Sequence, residues 1–209
     1  MIIGFRVKLW TKHSINDTIN TILIIYEFFH EVKTMRRSRT KYVCLVGLLI
    51  SLGLILHVIE SLIPLSHIVP GAKIGLANIA SLLGLVMFGF KVGLMILIFR
   101  IVLGSILAGT LLSFGFFMSL SGGLLGFLMM AAVYLLGLGY FSLIGVSIAG
   151  ALFHNVGQIF TAMFIISNFG LVYYLPYLAI LALPAGLVIG LTVDFTQDYL
   201  SGSVAGGNL

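Results

Sequence analysis

The feature that most constrains this chain is a series of long apolar runs, separated by short polar or glycine-containing connections. About 20 consecutive apolar residues suffice for an α-helix to cross the hydrocarbon core of a bilayer. Only 8% of the residues are charged and the mean hydropathy is +1.21, whereas a soluble domain carries about 25% charged residues. The sequence predicts an all-α fold, a polytopic membrane bundle of six transmembrane helices. The spans are placed at about 42–63, 74–90, 92–110, 117–138, 141–166 and 173–194.

Charge placement predicts the orientation of the bundle. A basic cluster directly precedes the first apolar run and consists of Arg36, Arg37, Arg39 and Lys41. The positive-inside rule places this end in the cytoplasm, and an even number of spans returns the C-terminus to the same side. The prediction is a multi-pass protein of the cytoplasmic membrane with the lipid bilayer as its surroundings. Because the basic residues cluster at one helix end, they do not indicate nucleic-acid binding.

Three segments are predicted along the chain. Residues 1–34 form an N-terminal extension, either an amphipathic helix or a mis-called start, because Met35 opens a sequence typical of a membrane protein. Residues 35–195 form the six-helix transmembrane domain. Residues 196–209 are small and polar enough to predict a flexible tail.

Two ionisable residues lie well inside apolar runs, Arg100 in the third predicted span and His154 in the fifth. A charge near the bilayer centre costs at least ~2.5–3.5 kcal/mol, so such residues usually face a bundle interior, a water-filled cavity or a ligand. They therefore predict the functional site. Two deep groups that are cationic or protonatable, set against one carboxylate, favour a small-molecule substrate with negative charge.

Further polar residues at membrane depth come from several spans and from the first outer loop. The predicted substrate-binding set is Glu60, Lys73, Asn78, Arg100, His154, Asn155 and Gln158. Structural alternatives remain open for its members: an interfacial anchor for Glu60, snorkelling for Lys73, helix–helix hydrogen bonds for Asn155 and Gln158, and neutralisation of Arg100 by Glu60. If the groups converge, they line one cavity that is open to the outside.

A metal site is an alternative interpretation of the same region. Imidazole and carboxylate ligands suit Zn, Ni or Co, and His57, Glu60, His67 and His154 supply them. The primary interpretation needs no metal and no other cofactor.

Small residues recur four apart in several spans, and such pairs allow helix backbones to approach closely. Gly122 and Gly126 are one pair, and Gly186 and Gly190 are another. Gly145 with Ala149 is a third pair. Gly47 and Ser51 form a similar face on the first span, where they predict a docking surface for a partner membrane subunit.

Several segments in order resemble the Gx transporter family, many of whose members are described as heptaprenyl diphosphate synthase component I. They are PGAKIGLANIASLLGL, FRIVLGSILAG, LSFGFFMSLSGGLLGFLMM and FSLIGVSIAGALFHNVGQIFTAMF. The likeness covers roughly residues 40–195. It implies kinship with the bacterial S components of energy-coupling factor (ECF) importers, six-helix proteins that capture a nutrient from outside and bind a transmembrane coupling subunit with two ATPases. It also implies that the loop after the first span closes over the substrate.

The residues argue against catalysis by the chain itself. A prenyl diphosphate synthase needs carboxylate clusters that hold Mg²⁺, yet the aspartates are limited to Asp17, Asp194 and Asp198. A phosphate-binding loop with its lysine is also missing from the sequence. The chain is therefore expected to be a non-enzymatic importer subunit, and a membrane accessory component linked to heptaprenyl diphosphate synthesis is the alternative.

Overall fold

Six α-helices and one short 3-10 helix make up the described part of the computed structural model, which comprises residues 39–62, 75–137 and 141–205. These residues contain no strand, which confirms the all-α class. The α-helices are α1 Arg39–Leu62, α2 Asn78–Phe88, α3 Phe90–Leu107, α4 Phe114–Leu136, α5 Leu143–Ile166 and α6 Leu175–Ala205. The 3-10 helix, Phe169–Tyr174, directly precedes α6.

Five of these helices are long and apolar enough to cross a membrane, and α2 is the exception. It has 11 residues and is therefore only about 16 Å long, whereas the prediction placed a span at 74–90. The chain enters through Gly75 at φ +91° and leaves through Gly89 at φ +87°. Both angles lie in the left-handed region that favours glycine, and they shorten the helix at both ends.

Serine side chains mark the starts of two spanning helices. The hydroxyl of Ser113 accepts from the backbone N–H of Phe116 at the start of α4, over 3.3 Å. Ser142 accepts from Gly145 in the same way at the start of α5, over 3.2 Å. Each cap pairs one of the backbone donors that a helix N-terminus leaves unpaired.

Helix α6 is the longest, with 31 residues, and contains Pro184. It continues past the predicted end of the sixth span at 194 and into the segment predicted as a tail. The domain boundaries at 34 and 195 stay predictions.

Glycines bring α4, α5 and α6 into close contact. A Cβ atom on Gly126 would lie 2.8 Å from the carbonyl oxygen of Gly150, and one on Gly190 would lie 2.5 Å from Cα of Ile144. These two glycines, together with Gly122 and Gly186, pack as their four-residue spacing predicted. Gly145 differs, because a Cβ there would first meet its own neighbours, at 3.8 Å.

The apolar core lies among α2, α3, α4, α5 and α6 within the compact unit Cys44–Leu209. Leu82, Leu97, Ile101 and Phe127 are fully buried in it. Large apolar side chains are also exposed on the outer surface of the described helices, as is typical of a surface that faces lipid. The residues of the other unit, Met1–Val43, are described only from Arg39 onward.

Candidate functional site

Arg100 lies near the middle of α3 and is only 3% exposed. Its Nε donates to the hydroxyl of Ser81 over 3.2 Å, and its Nη2 donates to Oδ1 of Asn78 over 2.5 Å. Helix α1 covers the aliphatic part of the side chain at Gly53, where a Cβ would lie 3.0 Å from Cδ of Arg100. Two neutral acceptors on α2 thus hold the guanidinium in one orientation.

Asn78 connects Arg100 to the opposite side of the bundle. Its Nδ2 lies 3.3 Å from Nδ1 of His154 on α5, while its Oδ1 accepts from Arg100. The residue is almost completely buried at the first turn of α2. One amide therefore contacts both of the ionisable residues that the sequence placed at membrane depth.

His154 also meets Gln158, one helical turn further along α5. The Nε2 atoms of the two side chains are 2.9 Å apart. Glycines of α4 leave room for them, because a Cβ on Gly122 would come within 3.2 Å of Nε2 of His154, and one on Gly126 within 3.0 Å of its Cβ. The imidazole therefore lies directly against the backbone of α4.

Glu60, near the end of α1, binds the turn that leads into α2. Its carboxylate accepts from the backbone N–H of Gly75, and from that of Leu76 over 3.2 Å. It also interacts electrostatically with Arg100. Because Glu60 is only 3% exposed, it acts as a buried counter-charge rather than an exposed anchor at a membrane surface.

Asn155 adjoins His154 in the chain but lies outside the buried network. We use this name for Glu60, Asn78, Ser81, Arg100, His154 and Gln158. Its Nδ2 donates to the carbonyl oxygen of Leu178 on α6 over 2.7 Å. Its Oδ1 is buried without a hydrogen-bond partner. Asn155 therefore joins α5 to α6, which was the structural alternative considered for it.

The alternative metal set is not assembled within the described residues, where no group of three His, Cys, Asp or Glu side chains is placed to hold a metal ion. His57 packs instead against α3, where a Cβ on Gly104 would lie 2.9 Å from its Cδ2. His67 and Lys73 lie outside the described residues.

Gly47 and Ser51, the two small residues predicted to form a docking surface, are exposed on α1. A Cβ on Gly47 would meet nothing within 4 Å, and the hydroxyl of Ser51 donates to the carbonyl oxygen of Gly47 over 2.9 Å. Within the described chain this face carries no packed neighbour at Gly47.

Ser81 is a residue of the network that the sequence interpretation missed. It follows Asn78 by three residues, so the two side chains share one face of a helix. That spacing was a usable signal, but serine is common in helix contacts and carries no charge.

Comparison with known proteins gives one finding. The family model described as Heptaprenyl diphosphate synthase component I matches residues 49–196, more than half of the chain. No curated protein and no solved structure matches the chain.

Proposed function

The chain belongs to the family described as heptaprenyl diphosphate synthase component I, and we propose that it is the substrate-capturing subunit of an ECF-type importer. It binds a small anionic molecule from the outer face of the cytoplasmic membrane, and both of its termini lie in the cytoplasm. A separate coupling subunit and ATPases supply the energy for transport. The chain itself catalyses no reaction.

The observation that carries this proposal is the buried guanidinium of Arg100, which two neutral acceptors of α2 hold in one orientation. A guanidinium has five N–H donors, and residues in the described part of the chain accept from two of them, one on Nε and one on Nη2. A buried charge is unfavourable unless other groups pair with it, so a bound anion would stabilise the guanidinium. Carboxylates and phosphates match the planar guanidinium fork, and they are the groups that we propose it binds.

The surrounding residues support a ligand rather than a purely structural ion pair. Glu60 interacts with Arg100 electrostatically, but its carboxylate also accepts from the backbone of Gly75 and Leu76. Asn78 and Gln158 provide the neutral polar groups that orient a bound molecule.

Native mass spectrometry of the detergent-purified protein tests the proposal. The wild-type protein is expected to retain a small anionic molecule, and Arg100→Ala is expected to lose it. Lys91→Ala is the matched control, because Lys91 is an exposed cation on the same helix and its removal should leave the retained mass unchanged. A retained molecule of net positive charge, or equal retention by Arg100→Ala, would contradict the proposal.

The importer assignment also predicts a docking partner for α1. Gly47→Leu fills an exposed position without touching a described neighbour, so it should leave the bundle intact. Affinity purification from the native host should then recover coupling and ATPase subunits with the wild-type protein and lose them with Gly47→Leu. Recovery that is unaffected by the substitution would exclude docking through this face.

A second candidate is suggested by the description of the family itself. In this alternative the chain anchors a soluble prenyl diphosphate synthase at the membrane and transports nothing. Glu60 is the only buried carboxylate among the described residues, which supports an accessory rather than a catalytic part in such a complex. The same purification distinguishes the two functions, because a recovered soluble synthase without ATPases would favour the accessory role.

A further inference from the structure

Arg100 determines which atoms of the buried network donate hydrogen bonds and which accept them. A guanidinium is always protonated in proteins and can only donate hydrogen bonds. The atom of Asn78 that lies 2.5 Å from Nη2 must therefore be its carbonyl oxygen. The amide group of Asn78 must consequently turn its NH₂ group to the other side, toward α5.

This orientation of the Asn78 amide determines the protonation state of His154. Its Nδ1 faces the NH₂ group of Asn78 over 3.3 Å and must accept, so it cannot carry a proton. The imidazole is therefore neutral, with its single proton on Nε2. That N–H points at the side-chain amide of Gln158, 2.9 Å away. Because two donors cannot pair, Gln158 presents its Oε1 there, which a half-turn of the amide provides.

Three further neighbours of the ring in the described part of the chain are uncharged. Helix α4 presents Gly122 and Gly126 to it, and the turn before α2 presents Gly75; these residues bring no charge. The charged members of the described network are Arg100 and Glu60, and these two opposite charges attract each other. A second positive charge on His154 would be repelled by Arg100 through a medium of low dielectric constant.

We infer that Asn78 is a positioning residue that holds His154 as the neutral Nε2–H tautomer. His154 then acts as a hydrogen-bonding group and not as a cation, in contrast to the protonatable role expected from the sequence. Arg100 is consequently the sole permanent cation among the buried described residues. This inference does not depend on the proposed transport function, since it concerns the protein without a ligand.

Nitrogen-15 NMR of the full-length protein in lipid nanodiscs tests the inference. With all five histidines labelled, the His154 signals are those missing from His154→Gln. At about pH 6, where a free imidazole is mostly protonated, His154 is expected to show one bare nitrogen, assigned to Nδ1, and one protonated nitrogen. Two protonated nitrogens, or a proton on Nδ1, would overturn the inference.

Asn78→Asp isolates the part played by Asn78. A carboxylate can accept from Arg100 and His154 together, so Nδ1 is expected to become protonated in this variant. Ser81→Ala is the matched control: it removes the other hydrogen bond of Arg100 but keeps Asn78, and the signals of His154 should not move. Should Asn78→Asp fail to fold, Gln158→Leu serves instead, since the bare Nδ1 should persist. An unprotonated Nδ1 in Asn78→Asp, or a protonated one in Gln158→Leu, would refute the positioning role.

Discussion

Replacing Asn78 with leucine, a side chain of similar size without polar atoms, is expected to destabilise the bundle more than any other single loss of an uncharged side chain in the network. A hydrogen bond to a charged group contributes about 1.5–3 kcal/mol, and Asn78 makes such a bond to Arg100 over 2.5 Å. Hydrogen bonds between membrane helices average about 0.6 kcal/mol, and a contribution of that size is expected from its contact with His154. The expected loss is therefore about 2–4 kcal/mol in the free energy of unfolding.

Asn155→Leu is the matched control. Asn155 is as deeply buried as Asn78, at 3% against 1% exposed, but it makes one neutral bond, to the carbonyl oxygen of Leu178. Leucine also removes an Oδ1 that has no partner. The two effects oppose each other, and the expected cost is about 1 kcal/mol or less.

Reversible unfolding in mixed micelles, with an increasing fraction of denaturing detergent, measures both variants. Arg100→Leu completes a double-mutant cycle with Asn78→Leu. If Asn78→Leu is destabilising because Arg100 loses a hydrogen-bond acceptor, the same substitution should cost less than about 1 kcal/mol when Arg100 is absent. Equal costs for the two asparagine variants, or strict additivity in the cycle, would refute the reasoning.

Two further predictions use thermal melting of the detergent-purified protein. Gly190→Ala should lower the free energy of unfolding by about 1–3 kcal/mol, because the new Cβ would lie 2.5 Å from Cα of Ile144. In the control Gly47→Ala the new Cβ meets nothing within 4 Å, so this variant should change the free energy of unfolding by less than about 0.5 kcal/mol. Similar effects of the two substitutions would contradict the packing argument. Glu60→Ala removes the acceptor of the buried N–H of Gly75 and should lower the free energy of unfolding by about 1–3 kcal/mol. Glu60→Gln keeps an acceptor and should lower it by less. Equal losses would show that the charge, not the acceptor, matters.

Apolar run length and composition were enough to predict the all-α membrane bundle, because lipid permits few other solutions. They did not predict the shortness of α2. The predicted span at 74–90 has only two polar side chains, Asn78 and Ser81, and the helix is limited instead by the backbone angles of Gly75 and Gly89. A glycine inside an apolar run reads as a packing residue when only composition is considered.

The composition of the network was predicted better than its arrangement. His154 and Gln158 are four apart and share a helix face, as their contact requires. Asn155 was grouped with them because it is adjacent in sequence, but one residue along a helix turns the side chain by about 100°. That turn directs it toward α6 instead. Which neighbour lies there depends on how the helices pack, and spacing within one helix does not contain that information.

The hairpin of α2 and α3 explains why Asn78 and Arg100 meet. A single residue, Gly89, separates the two helices, and Asn78 and Arg100 stand equally far from it, eleven residues before and eleven after. In an antiparallel pair the two side chains therefore lie at the same height, about 16 Å from the turn, a distance of about half the thickness of a hydrocarbon core. A turn at residue 91, between the predicted spans 74–90 and 92–110, would have placed them several residues out of register. One glycine thus sets the register that gives a buried arginine its partner, and a shift of this turn by even two residues should break the contact.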